Sequence, residues 1–133
     1  MNINKVFNIL IELNSTDNDN KNYNVISATL DNRNNIISIA KNSYVKTHPM
    51  QHKFAIKLGC INKDYLHAEI AALVKSHIQA KSIIVIRISK SGLIKIAKPC
   101  RMCMLAIKEA KIKKIYYTDS YGNLICEKVN YNN

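Results

Sequence analysis

The spacing of apolar residues divides the first third of the chain into a helix, a loop and a hairpin. VFNILIEL, residues 6–13, repeats its apolar positions at helical spacing and predicts a short amphipathic helix. The Asn- and Asp-rich stretch over about residues 14–22 breaks this pattern and predicts a flexible loop. Two β-branched runs, residues 23–30 and 35–41, flank DNRNN, whose Asp and Asn residues tolerate positive φ. We expect these two runs to pair as an antiparallel hairpin.

Helical spacing returns in the middle of the chain. PMQHKFAIKLG begins with Pro49 and ends with Gly59, residues that favour a helix start and a helix end, so it predicts a short helix. Asp64 is a good N-cap for a second helix, LHAEIAALVK, over residues 66–75. The expected apolar stripes are Met50, Phe54 and Leu58 on the first helix and Leu66, Ile70, Leu73 and Val74 on the second.

The second half alternates strands with one further helix. KSIIVIRI, residues 81–88, is almost uniformly apolar and predicts a central strand buried on both faces. After a turn, LIKIA returns as a short extension, and Pro99 starts a strong helix. Residues 113–118 and 124–129 are strands separated by five residues, too few for a parallel crossover, so we expect an antiparallel hairpin. Strands separated by helices predict an α/β fold with a mixed sheet and helices on its faces.

Composition limits the class of protein. A chain of 133 residues, 47% of them hydrophobic, fits a single domain over 1–133, with a frayed tail at about 130–133. No apolar run approaches the roughly 20 residues that span a bilayer, which argues against a membrane partner. The N-terminal segment lacks a small-residue cleavage site, so we expect a cytoplasmic protein. Four cysteines in that compartment favour metal binding or unpaired thiols.

The net charge of +11 has two interpretations. Residues 1–66 carry +3 and residues 67–133 carry +8, and a basic half is typical of proteins that bind nucleotides or nucleic acids. Lysine, asparagine and isoleucine are all frequent, however, and arginine occurs only at Arg33, Arg87 and Arg101. Such usage is also expected from AT-rich codons alone, so charge by itself does not decide between the two.

Two helix starts carry residues with distinctive chemistry. His67 and Glu69 open one helix, and Pro99-Cys100-Arg101-Met102-Cys103 opens the next. A single histidine is usually an ordinary helix residue, and CxxC alone also fits a redox pair or half of a structural zinc site. Together, one imidazole and two thiolates are three ligands for tetrahedral Zn²⁺, with a fourth position for water. A nearby carboxylate, Glu69, would then act as general base and afterwards as general acid.

This pair of motifs, HAE with PCRMC, resembles the zinc-dependent cytidine/deoxycytidylate deaminase superfamily over about residues 25–129. The resemblance implies a three-layer α-β-α fold with a five-stranded mixed sheet. It implies Zn²⁺ held by His67, Cys100 and Cys103, Glu69 as the catalytic residue, and hydrolysis of cytosine to uracil with release of ammonia. Histidine as the first ligand is more similar to the deoxycytidylate, polynucleotide and tRNA branches. The predicted C-terminal hairpin is more similar to the free-nucleoside branch.

Further expectations also come from this resemblance. Asn42 matches a residue that contacts the substrate sugar, and Ala68 would offer backbone groups to the base. Relatives often have glycine where this chain has Lys111; a lysine in a left-handed cap costs about 1–2 kcal/mol, so we expect that helix to end differently. Relatives that act on small molecules are commonly oligomers, which favours a homo-oligomer. A second zinc at His48, His52 and Cys60 is a weaker hypothesis.

Three functions stay open at this stage. The first is deamination of a pyrimidine nucleoside or nucleotide as a free small molecule. The second is deamination of cytosine or adenine within single-stranded DNA or RNA, including tRNA, which the basic second half would permit. The third is a non-catalytic zinc-binding module, against which the presence of Glu69 argues, because a structural zinc site needs no proton carrier.

Overall fold

The computed structural model describes residues 1–15, 24–43, 47–59 and 65–131. Most of the predicted loop at 14–22, Cys60, the predicted cap Asp64 and the last two residues of the tail lie outside these ranges. The elements are α1 Ile3–Ser15, β1 Asn24–Leu30, β2 Ile36–Lys41, α2 Pro49–Lys57, α3 Ala68–Lys75, β3 Ser82–Ile88, β4 Ile94–Lys95, α4 Arg101–Glu109, β5 Lys114–Thr118 and β6 Leu124–Lys128. None of these helices combines the length and hydrophobicity that crossing a membrane requires.

The strands form one mixed sheet in the order β2-β1-β3-β5-β6. The β3–β5 pair is parallel and the other pairs are antiparallel, so both predicted hairpins, β1–β2 and β5–β6, are confirmed. Among the described residues, the sheet has six strands rather than the expected five. The extra strand is β4, which pairs Ile94 with Ile88 and Lys95 with Arg87 beyond the region where β5 covers β3.

Helices cover both faces of the sheet, as predicted. Alternate residues of β3 point to opposite sides: Ile84 and Ile86 pack with α1, whereas Ile83 and Val85 pack with α4 and the start of β5. All four side chains are buried, and full burial of one such side chain stabilises the fold by about 1.5–3 kcal/mol. The nearly continuous apolar sequence of β3 is therefore explained by its two covered faces.

The short helix α3 lies against β1 and β2 through small residues. Ala68, Ala71 and Ala72 are buried, and the hydroxyl of Ser38 donates to the Ala72 carbonyl at 2.7 Å. The apolar stripe predicted for this helix is wrong at Val74, whose side chain is 39% exposed. Alanines let the helix backbone approach the sheet closely, which fixes the position of the helix N-terminus.

The C-terminus of α4 ends on Lys111 in a left-handed conformation, with φ of 61°. Lys111 N–H donates to the Lys108 carbonyl, and Ile112 N–H donates to the Ile107 carbonyl five residues earlier. These bonds, with buried Ile107 and Ile112 packed in the same cluster, form a Schellman motif. The expectation that this helix would avoid a left-handed lysine is therefore wrong. The motif and the burial of Ile112 offset the cost at Lys111.

Candidate metal centre and catalytic cavity

Two helix N-termini bring the three predicted metal ligands together. His67 is the N-cap of α3 and Cys100 is the N-cap of α4, both with extended backbone, and Cys103 lies in the first turn of α4. Neither N-cap side chain caps its own helix. Both instead turn toward the space between the two helices, where Cys103 is fully buried and Cys100 and His67 are half-buried.

The distances between these side chains fit a tetrahedral zinc ion. The Nδ1 atom of His67 lies 3.7 Å from Cys100 Sγ and 3.3 Å from Cys103 Sγ, and all three ligand atoms lie within 4.8 Å of one another. Tetrahedral geometry with ordinary Zn–S and Zn–N bonds places such atoms about 3.6–3.8 Å apart. The donor set, one imidazole and two thiols, is also one that zinc prefers.

The two cysteines differ in their affinity for a proton. The hydrogen bond with Cys103 lowers the pKa of Cys100 to about 4, with a smaller lowering effect from His67 and against the effect of burial. The same hydrogen bond and deep burial raise the pKa of Cys103 well above its usual value. Without metal, the pair therefore holds one thiolate and one thiol at neutral pH. A thiolate is the form that binds zinc.

Glu69 lies in the first turn of α3 and is 6% exposed. Burial raises the pKa of its carboxyl group above the usual value, while its own backbone N–H and His67 act in the opposite direction. Burial therefore favours the protonated form of this carboxyl group, which can exchange its proton with a bound molecule.

A cavity of about 490 Å³ opens in front of this group, a size typical of small-molecule sites. Four predicted site residues line it besides Cys100, namely Asn42, His67, Ala68 and Glu69, whereas Cys103 lies behind the wall. The remaining lining residues are Val25, Ser43, Tyr65, Leu66, Val85, Arg87, Ile96, Ala97 and Lys98. The structure thus places five of the six predicted site residues at the wall of a single cavity.

Asn42 is held at the wall of this cavity by β1. Its Oδ1 atom accepts a hydrogen bond from Val25 N–H at 3.0 Å, and its own N–H donates to the Val25 carbonyl at 3.0 Å. Ser43 N–H donates to the Leu66 carbonyl at 2.9 Å and links this segment to the start of α3. The side-chain amide of Asn42 is therefore oriented before any ligand binds.

Gln51, in α2, was not singled out from the sequence. Its side chain is completely buried, and its Oε1 atom accepts a hydrogen bond from the backbone N–H of His67 at 3.1 Å. Its amide nitrogen lies 3.2 Å from the sulfur of Met102 in α4. Gln51 thus ties α2 to the segment that carries the first ligand. The sequence did contain a signal for this residue. Gln51 precedes Phe54 by three residues and Ala55 by four, so it lies on the same, buried face of α2 as these two side chains.

Arg87 and Lys98 also line the cavity and were not predicted as site residues. Arg87 lies near the end of β3, whose other residues are apolar apart from Ser82. A charged residue at that place in an apolar strand was the available signal.

The hypothesis of a second zinc site gains no support from the described histidines. The ring of His48 accepts a hydrogen bond from Met50 N–H at 3.0 Å and so caps α2. His52 is exposed, and Cys60 is outside the described residues. Within the described ranges, His67, Cys100 and Cys103 form the one group of three or more His, Cys, Asp or Glu side chains arranged to hold a metal.

Sequence comparison agrees with this arrangement. The family model for the cytidine and deoxycytidylate deaminase zinc-binding region matches residues 1–119, which include every residue of the metal group and Glu69. No curated protein matches the chain.

Proposed function

Because the chain belongs to the cytidine and deoxycytidylate deaminase family, we propose that it hydrolyses cytosine to uracil in a free (deoxy)cytidine nucleoside or nucleotide. The observation that carries the proposal is the meeting of three zinc-type ligands with the buried carboxyl group of Glu69 at one end of a cavity. The antiparallel β5–β6 hairpin supports a small substrate, because this hairpin resembles the free-nucleoside branch, whereas His67 as the first ligand is more similar to the other branches.

His67, Cys100 and Cys103 would hold the zinc ion. When bound, Zn²⁺ supplies Lewis-acid activation of water, which is the nucleophile in this reaction. The lowered pKa of Cys100 provides a thiolate ligand at neutral pH, and the position of both cysteines at the N-terminus of α4 favours negative charge there.

Glu69 is the proton carrier in this proposal. Its carboxylate accepts a proton from the attacking water and delivers a proton to the ring nitrogen beside the reacting carbon. It then takes the second proton of the attacking water, from the hydroxyl group now bonded to the reacting carbon, and delivers it to the departing amine, which leaves as ammonia. The raised pKa of Glu69 suits these proton transfers, because its carboxyl group must hold each proton after accepting it and before delivering it.

Ala68 and Asn42 would position the substrate. Ala68 is the first residue of α3, and its N–H has no partner within the helix, so it can donate to an acceptor on the base. Asn42 lines the same cavity with its side chain fixed by Val25, which suits a contact with the sugar.

Mass spectrometry of an equimolar substrate mixture tests the proposal. Zinc-loaded protein is incubated with cytidine, deoxycytidine, their monophosphates and a cytosine-containing single-stranded oligonucleotide. A gain of about 1 Da in a free species, from replacement of an amino group by oxygen, supports it. No gain in any free species overturns it.

Substitution of Glu69 tests the assigned mechanism. Glu69→Gln preserves the shape of the side chain but cannot carry the proton, so turnover falls by about 10²–10⁴-fold while zinc content is retained. Cys100→Ala removes a ligand, so both zinc and turnover are lost. If Glu69→Gln stays active, the role given to Glu69 is wrong.

Deamination within a single-stranded nucleic acid is a second candidate, favoured by the charge of +8 over residues 67–133. Binding of a labelled oligonucleotide across a salt series tests it. Phosphate-driven affinity must fall steeply as salt increases, so a negligible affinity at low salt eliminates this candidate.

A further inference from the structure

Five exposed lysines gather at the end of the sheet opposite to the catalytic cavity. They precede β3, connect α4 to β5, begin β5 and end β6, and they are Lys81, Lys111, Lys113, Lys114 and Lys128. Backbone contacts hold these segments together. The N–H groups of Lys113 and Lys114 both donate to the Lys81 carbonyl, and Lys114 lies directly opposite Lys128. These five residues are called the lysine patch below.

The lysine patch is separate from the catalytic cavity. Val85 and Arg87 of β3 line the cavity, whereas Lys81 precedes the first residue of the same strand. At the rise per residue of a strand, Lys81 and Arg87 lie about 20 Å apart. Helix α4 likewise begins at the metal ligands, and its C-terminal end leads into the patch. A molecule bound at the patch therefore need not enter the cavity.

No carboxylate of the described residues forms an ion pair with the patch. The carboxylates that adjoin it in sequence are paired elsewhere, Glu109 with Lys53 at 2.8 Å and Glu127 with Lys98 at 3.8 Å. Asp31, in the turn after β1, accepts hydrogen bonds from two backbone N–H groups of its own turn. The positive charge of the patch is therefore not neutralised within the described part of the chain.

Two of these lysines occupy positions that work against the fold. Lys114 and Lys128 are direct cross-strand partners, so their side chains leave the same face of the sheet as neighbours. Like charges placed directly opposite each other destabilise a strand pair. AT-rich codons account for how many lysines the chain has, but not for where they lie. An anion bound between Lys114 and Lys128 would offset their repulsion.

We propose that the lysine patch binds the phosphate backbone of a nucleic acid, independently of the catalytic site. Lysine is a point charge on a flexible stem and lacks the planar fork of arginine, so such a surface contacts phosphates without reading the bases. A membrane surface fits less well. The neighbouring Tyr131 has its ring 5.5 Å from Lys113 Nζ and its hydroxyl bonded to the Ile112 carbonyl, so this ring is not free to enter a bilayer.

The chain offers two variants with an equal loss of charge. The patch variant combines Lys114→Gln with Lys128→Gln. The control variant combines Lys90→Gln with Lys95→Gln, in the turn between β3 and β4 and in β4, at the opposite end of the sheet. Lys95 also faces a positive residue, Arg87, across a strand pair, so both variants relieve a repulsion between like charges. The two differ in which end of the sheet loses its charge.

Fluorescence anisotropy of a labelled DNA duplex and a labelled single strand, each across a salt series, measures binding. The slope of log affinity against log salt counts the phosphates contacted, at about 0.9 each for a duplex and 0.7 for a single strand. We expect the patch variant to lower the slope by about 2 for the duplex, and the control variant to keep the wild-type slope. An equal fall in both variants, or a fall in the control variant alone, overturns the proposal.

Reversal of one charge gives a second test with effects of opposite sign. Lys114→Glu faces Lys128 as an opposite charge, so we expect it to unfold at a higher temperature than the wild-type protein. The same change should weaken nucleic-acid binding, measured where circular dichroism shows both proteins folded. Unchanged binding by Lys114→Glu overturns the proposal.

Two further comparisons isolate this inference. Binding to vesicles that contain phosphatidylserine, lost in the patch variant while nucleic-acid binding is unchanged, assigns the patch to a membrane and overturns the proposal. Binding at the patch needs no turnover, so the proposed function fails or succeeds separately. A protein that binds nucleic acid through the patch but deaminates nothing retains the patch and loses the deaminase. A deaminase with negligible affinity for nucleic acid at low salt retains the proposed function and loses the patch.

Discussion

At the scale of single residues, the site depends on how its protons are distributed. Cys100, the N-cap of α4, and Cys103, in its first turn, share a hydrogen bond that lowers the pKa of Cys100 and raises the pKa of Cys103. Glu69 is kept from ionising easily by burial. One thiolate and one carboxyl group that can hold a proton therefore coexist in the metal-free protein, and these are the groups that zinc binding and proton transfer require.

The metal-free protein is predicted to contain one thiolate whose titration follows Cys100. A folded-state pKa of about 4, below the ordinary thiol value, means that this group adds stability at high pH and that the contribution is lost as pH falls through about 4. Thiolate absorbance in the ultraviolet should persist at pH 6 to 7, below the ordinary thiol pKa of about 8.5, and disappear on further acidification.

Cys100→Ser provides the control for this titration. The variant should lack the thiolate signal at neutral pH, because the remaining thiol of Cys103 is buried and titrates only at high pH. A signal of unchanged size in Cys100→Ser would mean that the thiolate does not belong to Cys100.

At the scale of elements, helix termini position the chemistry. The short helix α3 packs its alanines on the sheet, and α4 ends in a Schellman motif that anchors Ile112 in the core. Buried Gln51 then connects α2 to the backbone of His67. Each of these contacts fixes one helix relative to a neighbouring element. Helix packing therefore determines the distances between the metal ligands His67, Cys100 and Cys103.

Gln51→Leu should weaken zinc binding without removing a ligand. The substitution leaves the His67 N–H without its acceptor and loosens the backbone that aims the imidazole. Loss of such a supporting group typically lowers metal affinity by about 10–100-fold. Competition with a chelator measures the affinity, and the cobalt-substituted protein reports ligand geometry spectroscopically.

Gln51→Glu is the matched control, because it keeps an acceptor oxygen at the same place. We expect this variant to bind zinc more tightly than Gln51→Leu does. Equal affinities in the two variants would show that the hydrogen bond to His67 does not matter for the metal site.

Lys111→Gly should raise the free energy of unfolding by about 1 kcal/mol, because glycine adopts the left-handed conformation without the steric penalty of a Cβ atom. Urea denaturation measures the change. Lys108→Gly, at an exposed position inside α4, should lower the free energy of unfolding by about as much. A destabilised Lys111→Gly would mean that the lysine side chain itself contributes to the cap.

At the scale of the whole molecule, the metal site joins parts of the chain that are distant in sequence. His67 belongs to α3, which packs on β1 and β2, while Cys100 and Cys103 belong to α4, which packs on β3 and β5. The cavity between them is closed on another side by the end of β3, which contributes Arg87, and by the segment between β4 and α4, which contributes Lys98. The site therefore exists only when both halves of the sheet are assembled.

Removing zinc should destabilise the entire fold. Bound zinc links two helices that pack on different strands, so at a free concentration 100 to 1,000 times its dissociation constant it stabilises the protein by about 3–4 kcal/mol. Thermal unfolding with and without a chelator measures this difference. Cys103→Ser, which lacks one ligand, should unfold at the same temperature in both conditions.

The order of the elements other than β4 could be predicted from the sequence alone, and so could a candidate set of metal ligands. Hydrophobic periodicity is a local signal, and it correctly predicted the central strand, both hairpins and the helices that begin at the two motifs. The combination of one histidine with a CxxC pair, together with the family resemblance, singled out His67, Cys100 and Cys103 from the sequence, and the structure brings these three side chains together.

Contacts between distant segments could be decided only by the tertiary structure. Gln51 accepts a hydrogen bond from His67, which is 16 residues away in the sequence. Arg87 lies opposite Lys95 on the neighbouring strand. Neither neighbour can be predicted from the residues that flank Gln51 or Arg87. The backbone conformation of Lys111 could not be predicted from the sequence either. Lysine disfavours the left-handed conformation, but burial of Ile112 outweighs this preference. Local preferences are worth about 1 kcal/mol per residue, and the burial of a single large side chain is worth more, so packing decides where the two disagree.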